Sequence, residues 1–194
     1  MTELFDEALR YAAECHSGQT RSLSKAPYVL HPMEAAVIVG TMTADTEILA
    51  AALLHDTIED TGATLDEIRK RFGDRVAELV ASETETRAPH ESIATTWEAR
   101  KSAALSVLRS TDDIAVKMLW LGDKLSNMRS FAREYRLSGN ALWARFHQKD
   151  PAKQAWYYRE IIRCMNELRE YDAYKEFTAL VEEVFQDFMG GNES

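Results

Sequence analysis

The residues of this chain able to do chemistry gather at three places. His55-Asp56 closes its most apolar stretch, directly after Ala50-Ala51-Ala52-Leu53-Leu54. A histidine–carboxylate pair is costly to desolvate there unless a cation or a partner compensates it. Glu59 and Asp60 each lie four residues beyond one member of the pair, so His55 shares a helix face with Glu59 and Asp56 with Asp60. A polar helix end facing solvent is the plainer account, and the apolar run before it argues against that. His31 stands before Pro32 and reads as an N-cap, its ring turned away from the helix it introduces. Taken alone, it is as good a solvent-facing cap as a ligand. Asp123 sits in the apolar stretch Ile114 to Met128 beside Gly122. A glycine there costs about 1 kcal/mol relative to Ala, which close approach of another element would explain. Asn127, four residues on, shares the Asp123 face.

Together, His31, His55, Asp56 and Asp123 make a mixed nitrogen and oxygen donor set for one divalent ion, with two negative charges to match it. Oxygen donors without cysteine favour manganese or iron over a closed structural zinc site. Such an ion lowers the pKa of a bound water and polarises a phosphoryl oxygen. Glu59 and Asp60 are then placed to accept a proton from that water or to orient it.

Helices must hold these groups. Leu4, Phe5, Ala8, Leu9 and Ala12 recur at three- and four-residue spacing, the mark of an amphipathic helix over 3–16. Pro32 opens a second over Met33 to Met42, and Thr46 to Asp60 forms a central third. Thr64-Leu65-Asp66-Glu67 has the form of a capping box, with Gly73 as the stop; another helix begins at Asp74. Further helices cover Ile93 to Leu108 and Asp112 to about Tyr135, with Thr111 as N-cap; two more lie within Pro151 to Met189. Nothing alternates as a half-buried strand would. The expectation is a single all-α domain over 1–189 with a short polar tail, Gly190 to Ser194. The two longest irregular pieces, Ser17 to Leu30 and Leu137 to Asp150, are of the kind that carries function.

Composition narrows the partners. The 194 residues are 45% hydrophobic and 28% charged, as in a globular protein with a real core. The longest apolar run, Ile48 to Leu54, has seven residues, far short of the ~20 that span a bilayer. The first residues carry acids where an export signal needs bases. With 23 basic and 32 acidic residues the formal charge is −9, which repels a nucleic-acid backbone. The two cysteines, Cys15 and Cys164, make no disulfide framework. The reading is a cytoplasmic protein without membrane or nucleic-acid polymer as partner. Several apolar helix faces are compatible with a homo-oligomer.

With these residues assembled, the chain resembles the HD phosphohydrolase superfamily. More narrowly, it resembles the hydrolase domain of RelA/SpoT enzymes and the stand-alone small alarmone hydrolases, among them the metazoan SpoT homologue. The resemblance runs from about Leu4 to Arg129 in four ordered segments. These are Gly18-Gln19-Thr20-Arg21 with Pro27-Tyr28-Val29-Leu30-His31-Pro32, Ala51 to Thr61 around His55-Asp56, Phe72 to Val76, and Gly122 to Arg129. The resemblance implies an all-α HD-type metal-dependent domain in which His31, His55, Asp56 and Asp123 hold a manganese ion and Glu59 and Asp60 serve the attacking water. It also implies that Arg21 stacks on a guanine base and that Asn127 helps hold the nucleotide. The implied reaction is hydrolysis of the 3′-pyrophosphate of guanosine tetra- or pentaphosphate to GDP or GTP and pyrophosphate.

Three departures stand out. Ser22 follows Arg21 where the family usually has lysine, with Lys25 as a substitute charge. Ala81 to Arg87 replaces a segment usually containing Val-Thr-Lys. No synthetase or regulatory domain accompanies the hydrolase, so this chain is expected to degrade and not make the alarmone. Beyond the resemblance, Lys153 and Tyr157 are four apart on a helix and could reach phosphate and base or ribose, unless those aromatics simply pack. Arg100-Lys101 and Lys124 are further cations for a phosphorylated substrate. Two other functions keep the same site: hydrolysis of another nucleotide (an adenosine alarmone, a 5′-nucleotide or the 2′-phosphate of NADPH), and nucleotide binding without turnover.

Overall fold

The computed structural model describes residues 2–84 and 96–188. Helix α1 spans Thr2–Cys15, α2 Leu30–Gly40, α3 Thr46–Leu54, α4 Thr57–Asp60, α5 Leu65–Phe72 and α6 Asp74–Glu83. They are followed by α7 Trp97–Ser110, α8 Ile114–Ser138, α9 Pro151–Cys164 and α10 Asp172–Phe185, with 3₁₀ turns at Gly139–Arg145, Asn166–Leu168 and Gln186–Phe188. Among the described residues there is no strand, only an isolated antiparallel bridge between Thr20 and Pro27. The all-α expectation holds. The proposed tail from Gly190, Ile93 to Thr95 and Glu85 to Arg87 lie outside the described residues.

Helix α3 has no polar face because α1, α2, α6 and α8 surround it. Ala50 to Leu54 are all buried there. Helix α8 is the spine, packed on α2, α3, α6 and α10. Its buried stretch Ala115 to Asp123 is nearly all apolar, and Gly122 marks where the α2 backbone comes against it. The second half is held by an aromatic cluster in which Trp143 and Tyr158 each stack on Phe185 and Phe131 meets Phe146 and Tyr158.

Three helix boundaries differ from the sequence reading, each for a local reason. Helix α2 begins at Leu30, two residues before Pro32, so His31 lies inside the first turn and Val29 is the N-cap. Proline is tolerated there because first-turn amides have no helical acceptor to lose. The single helix expected over Thr46 to Asp60 breaks at His55-Asp56. His55 Nδ1 bonds the Ala52 carbonyl at 2.9 Å and Thr57 Oγ1 donates to the Leu54 carbonyl at 2.7 Å, so side chains engage carbonyls of the last turn of α3. Asp113, not Thr111, caps α8, its carboxylate accepting from Ala115 N at 2.9 Å.

Candidate metal centre and its cleft

Four donors converge from three separate pieces of chain: His31 in the first turn of α2, His55 and Asp56 at the α3–α4 break, and Asp123 in mid-α8. His31 Nε2 lies 3.0 Å from Asp123 Oδ1, 3.3 Å from Asp56 Oδ2 and 3.3 Å from His55 Nε2. His55 Nε2 lies 3.2 Å from Asp56 Oδ2 and 3.6 Å from Asp123 Oδ1. His31, His55 and Asp123 are buried and Asp56 is half-buried. The Ala52 carbonyl can only accept, so His55 carries its proton on Nδ1 and turns Nε2 to the centre.

Burial works to neutralise His55, yet the charge of Asp56, with hydrogen bonds to Asp123 and Asp56, holds its pKa well above the usual imidazole value. Burial likewise opposes ionisation of the two acids. The charge of His55 and hydrogen bonds from both histidines outweigh it at Asp56. The Lys124 charge and the same two imidazoles outweigh it at Asp123, and both carboxyls stay well below the carboxylate range. Donors this close repel one another unless positive charge lies among them. A proton on His55, whose pKa is raised, supplies it in the protein alone. A divalent cation would supply the same charge, and His31, His55 and Asp123 can each offer it an atom within 4.8 Å of the others. The donor set therefore fits such an ion.

On the open side, the Tyr28 hydroxyl lies 2.7 Å from Asp56 Oδ2 and 2.7 Å from Asp60 Oδ2, so one phenol ties a cluster residue to an acid beside it. Burial, then the charges of both acids, raise the pKa of that phenol far above its usual value and keep it a donor. His16, buried as well, stacks on Tyr28 at 4.8 Å and bonds Gln19, which in turn holds the Asp60 carbonyl. The sequence reading gave Tyr28 no role. Its place three residues before His31, on the approach to α2, was the available signal. On the inner side Lys124 bonds Asp123 and, at 3.2 Å, Glu83, a buried acid the sequence reading also passed over.

The cluster opens past Glu59, Lys101 and Asn127 into a larger cleft of about 330 Å³. Arg21, Arg100 and Lys101 line it, with Trp97, Phe131, Phe146, Tyr157 and Tyr158 as aromatic walls; Glu59 is the one acid among its described lining residues. An acidic chain thus concentrates positive charge at this mouth. Arg21 donates to Asn127 Oδ1 at 3.0 Å, and Asn127 donates to Asp123 Oδ1 at 2.6 Å, linking cleft and cluster. Arg145 fixes the 17–30 loop through the carbonyls of Ser22 and Leu23.

Of the residues singled out from sequence, His31, His55, Asp56, Asp123, Glu59, Asp60 and Asn127 are brought to the cluster, and Arg21 and Tyr157 to the cleft. Lys153 is not. It pairs with Glu98 of α7 at 3.0 Å and lines a separate groove with Trp156 and Arg159. Lys25 is likewise not among the residues lining the cleft.

The HD domain family matches residues 8–152. The chain belongs to the HD domain family. Among curated relatives of this HD domain, a guanosine-3′,5′-bis(diphosphate) 3′-pyrophosphohydrolase of Aquifex aeolicus (strain VF5) is 36% identical over 128 residues, 66% of this chain and 18% of that one. The bifunctional (p)ppGpp synthase/hydrolase SpoT of Escherichia coli (strain K12) is 40% identical over 129 residues, 64% of this chain and 17% of that one. The chain therefore spans less than a fifth of the length of these two relatives. In structure, the HD domain superposes on a metazoan ortholog of SpoT that hydrolyzes ppGpp with TM-score 0.70 at 24% identity, covering 95% of this chain and 94% of that one. It superposes on lmo0812 from Listeria monocytogenes EGD-e with TM-score 0.69 at 33% identity, covering 80% and 99%. Among the described residues no helix is long and apolar enough to cross a membrane.

Proposed function

We propose that this HD domain hydrolyses the 3′-pyrophosphate of guanosine tetra- or pentaphosphate, releasing pyrophosphate and GDP or GTP. The observation that carries the reading is the continuity of the His31, His55, Asp56 and Asp123 cluster with a basic, aromatic-walled cleft through Glu59, Lys101 and Asn127. The relatives named for this reaction support it.

In this reading His31, His55, Asp56 and Asp123 would hold one divalent ion, manganese by the mixed nitrogen and oxygen donor set without cysteine. When bound, the ion supplies Lewis acidity toward water and the scissile phosphoryl oxygen. Of Glu59 and Asp60, one accepts the proton of the attacking water while the other orients it, and Tyr28 holds the Asp60 carboxylate in place. Arg100 and Lys101 neutralise the phosphates. Arg21 presents a planar guanidinium to the base and Asn127 fixes it at the cluster. Tyr157 contributes to the wall beside the nucleoside. The chain acts in the cytoplasm, where its substrate class is found.

The test is a product assay with manganese on guanosine tetraphosphate, its adenosine counterpart, GTP, a 5′-monophosphate and NADPH, with Asp56→Ala as control. Pyrophosphate released only from the 3′-pyrophosphorylated nucleotides, and lost in Asp56→Ala, supports the reading. Orthophosphate from NADPH or a monophosphate overturns it in favour of another nucleotide, and silence with metal bound favours binding without turnover.

A further inference from the structure

His55 and His31 both turn Nε2 to the centre, but different structures hold them there. For His55 the partner of Nδ1 is the backbone carbonyl of Ala52 in its own helix, which no side-chain substitution removes. For His31 it is Ser126 Oγ at 2.8 Å, one turn after Asp123 on α8. The same hydroxyl donates to Glu34 Oε2 at 2.8 Å. Glu34 Oε1 accepts from Arg129 Nη1 at 3.2 Å, and Arg129 in turn bonds both oxygens of Glu176 on α10 at 2.7 Å each.

A hydroxyl has one hydrogen. Glu34, ion-paired with Arg129, has only acceptor oxygens to offer, so the Ser126 hydrogen points at Glu34. Its lone pairs then face His31, and the contact at Nδ1 is satisfied only if Nδ1 carries the imidazole proton. From this directionality we infer that Ser126 and Glu34 are positioning residues that fix His31 as the Nδ1–H tautomer and so present its bare Nε2 to the metal cluster. Arg129, clamped by Glu176, anchors the far end. The chain of contacts runs from the centre across α2 and α8 to α10, so Glu176 on α10 bears on His31. The inference rests on the metal reading proposed above and adds to it which residues outside the donor set govern metal affinity.

The discriminating variant is Ser126→Ala. Ser126 is buried in mid-helix and alanine is the best helix former, so the fold is retained while the relay is cut. Removing such an outer partner weakens metal binding by about 10- to 100-fold. That shift should appear in the Mn²⁺ dissociation constant measured by chelator competition, and turnover should return at saturating metal, which mere structural damage would not allow. Long-range ¹H–¹⁵N imidazole correlations on the metal-free protein, at a pH where the rings are neutral, read the tautomer directly, because a metal on Nε2 would by itself force the proton onto Nδ1. His31 should be Nδ1–H in the wild type and altered in Ser126→Ala, with His55 unchanged in both. Glu34→Gln, which keeps an acceptor oxygen, should lose less affinity than Glu34→Leu. A Ser126→Ala protein with wild-type metal affinity and an unchanged His31 tautomer would overturn the inference. If the wild type binds no divalent ion, the metal reading fails separately. The relay then stands or falls on whether Ser126→Ala changes the His31 nitrogen shifts in the metal-free protein.

Discussion

Gly122 lies directly beneath the Ala35 carbonyl, where a Cβ would come 2.9 Å from that oxygen and 2.7 Å from Val39 Cγ2. Helix α2 carries His31 and α8 carries Asp123, so this contact sets the separation of two of the proposed metal donors. Backbone cannot yield as a flexible side chain does. Gly122→Ala gains about 1 kcal/mol of helix propensity, while overpacking costs about 1–3 kcal/mol. The net expectation is a lower melting temperature together with weaker metal binding, read by thermal denaturation and metal titration. A variant as stable and as tight as wild type would show that the two helices are not held apart at this point.

The glycine illustrates what the sequence could convey. A glycine beside an acid in an apolar helix implied a close approach, and the structure supplies the partner element. The His55-Asp56 pair was legible because a polar pair after a run of buried alanines and leucines needs compensation. What could not be read was any direction set by tertiary contact. His31 looked like a cap because proline biases its neighbour, yet α8 draws it inward through Ser126. Lys153 and Tyr157 share a helix face by spacing alone, but the packing of α7 against α9 separates their surroundings. Glu83 gave no local signal and Tyr28 only its nearness to His31, since each acquires its partners from residues 28 to 41 positions away in the chain.

Tyr28 is the next residue to test. Its one hydroxyl hydrogen serves Asp56 and Asp60, both at 2.7 Å, and its ring stacks on His16. Tyr28→Phe keeps the ring and removes the donor, leaving the two carboxyls facing each other. Under the proposed reaction we expect kcat to fall about 10- to 100-fold with KM changed by less than about threefold, the pattern of a loss felt in the transition state. Steady-state kinetics on guanosine tetraphosphate decides it. A rise in KM alone would make Tyr28 a substrate contact instead.

Glu83 offers a pH test that needs no substrate. Its Oε1 accepts from Lys124 at 3.2 Å, while Oε2 is buried without a hydrogen-bond partner among the described residues. Burial pushes its pKa up to about 8, against the pull of Lys124 and with the added push of Asp123. The folded metal-free protein therefore keeps a proton that the unfolded chain gives up near 4.5. The stability this group contributes is fully present below about 4.5 and is lost as the pH rises toward about 8. Glu83→Gln cannot ionise. Across that window its melting temperature should fall less steeply than that of the wild type in metal-free buffer. Parallel curves would mean that Glu83 does not hold its proton in the fold.

Lys153 and Tyr157 separate the cleft from its neighbouring groove. Tyr157 faces the cleft, edge-on to Trp97 at 5.9 Å and beneath Lys101 Nζ at 4.9 Å from its ring centre. Lys153 is exposed and engaged with Glu98 in the neighbouring groove. Exposed ion pairs contribute about 0–1 kcal/mol, so Lys153→Ala should lower stability by no more than about 1 kcal/mol and leave KM for guanosine tetraphosphate within about twofold of wild type. Tyr157→Leu removes an aromatic wall against which a base or ribose packs and withdraws support from Lys101. A lost stacking contact of about 1–3 kcal/mol predicts a KM roughly five- to 150-fold higher. Parallel kinetics on the two variants reads the difference. Equal effects would mean that substrate extends across α9 into the second groove, and an effect of Lys153→Ala alone would move the phosphate site there.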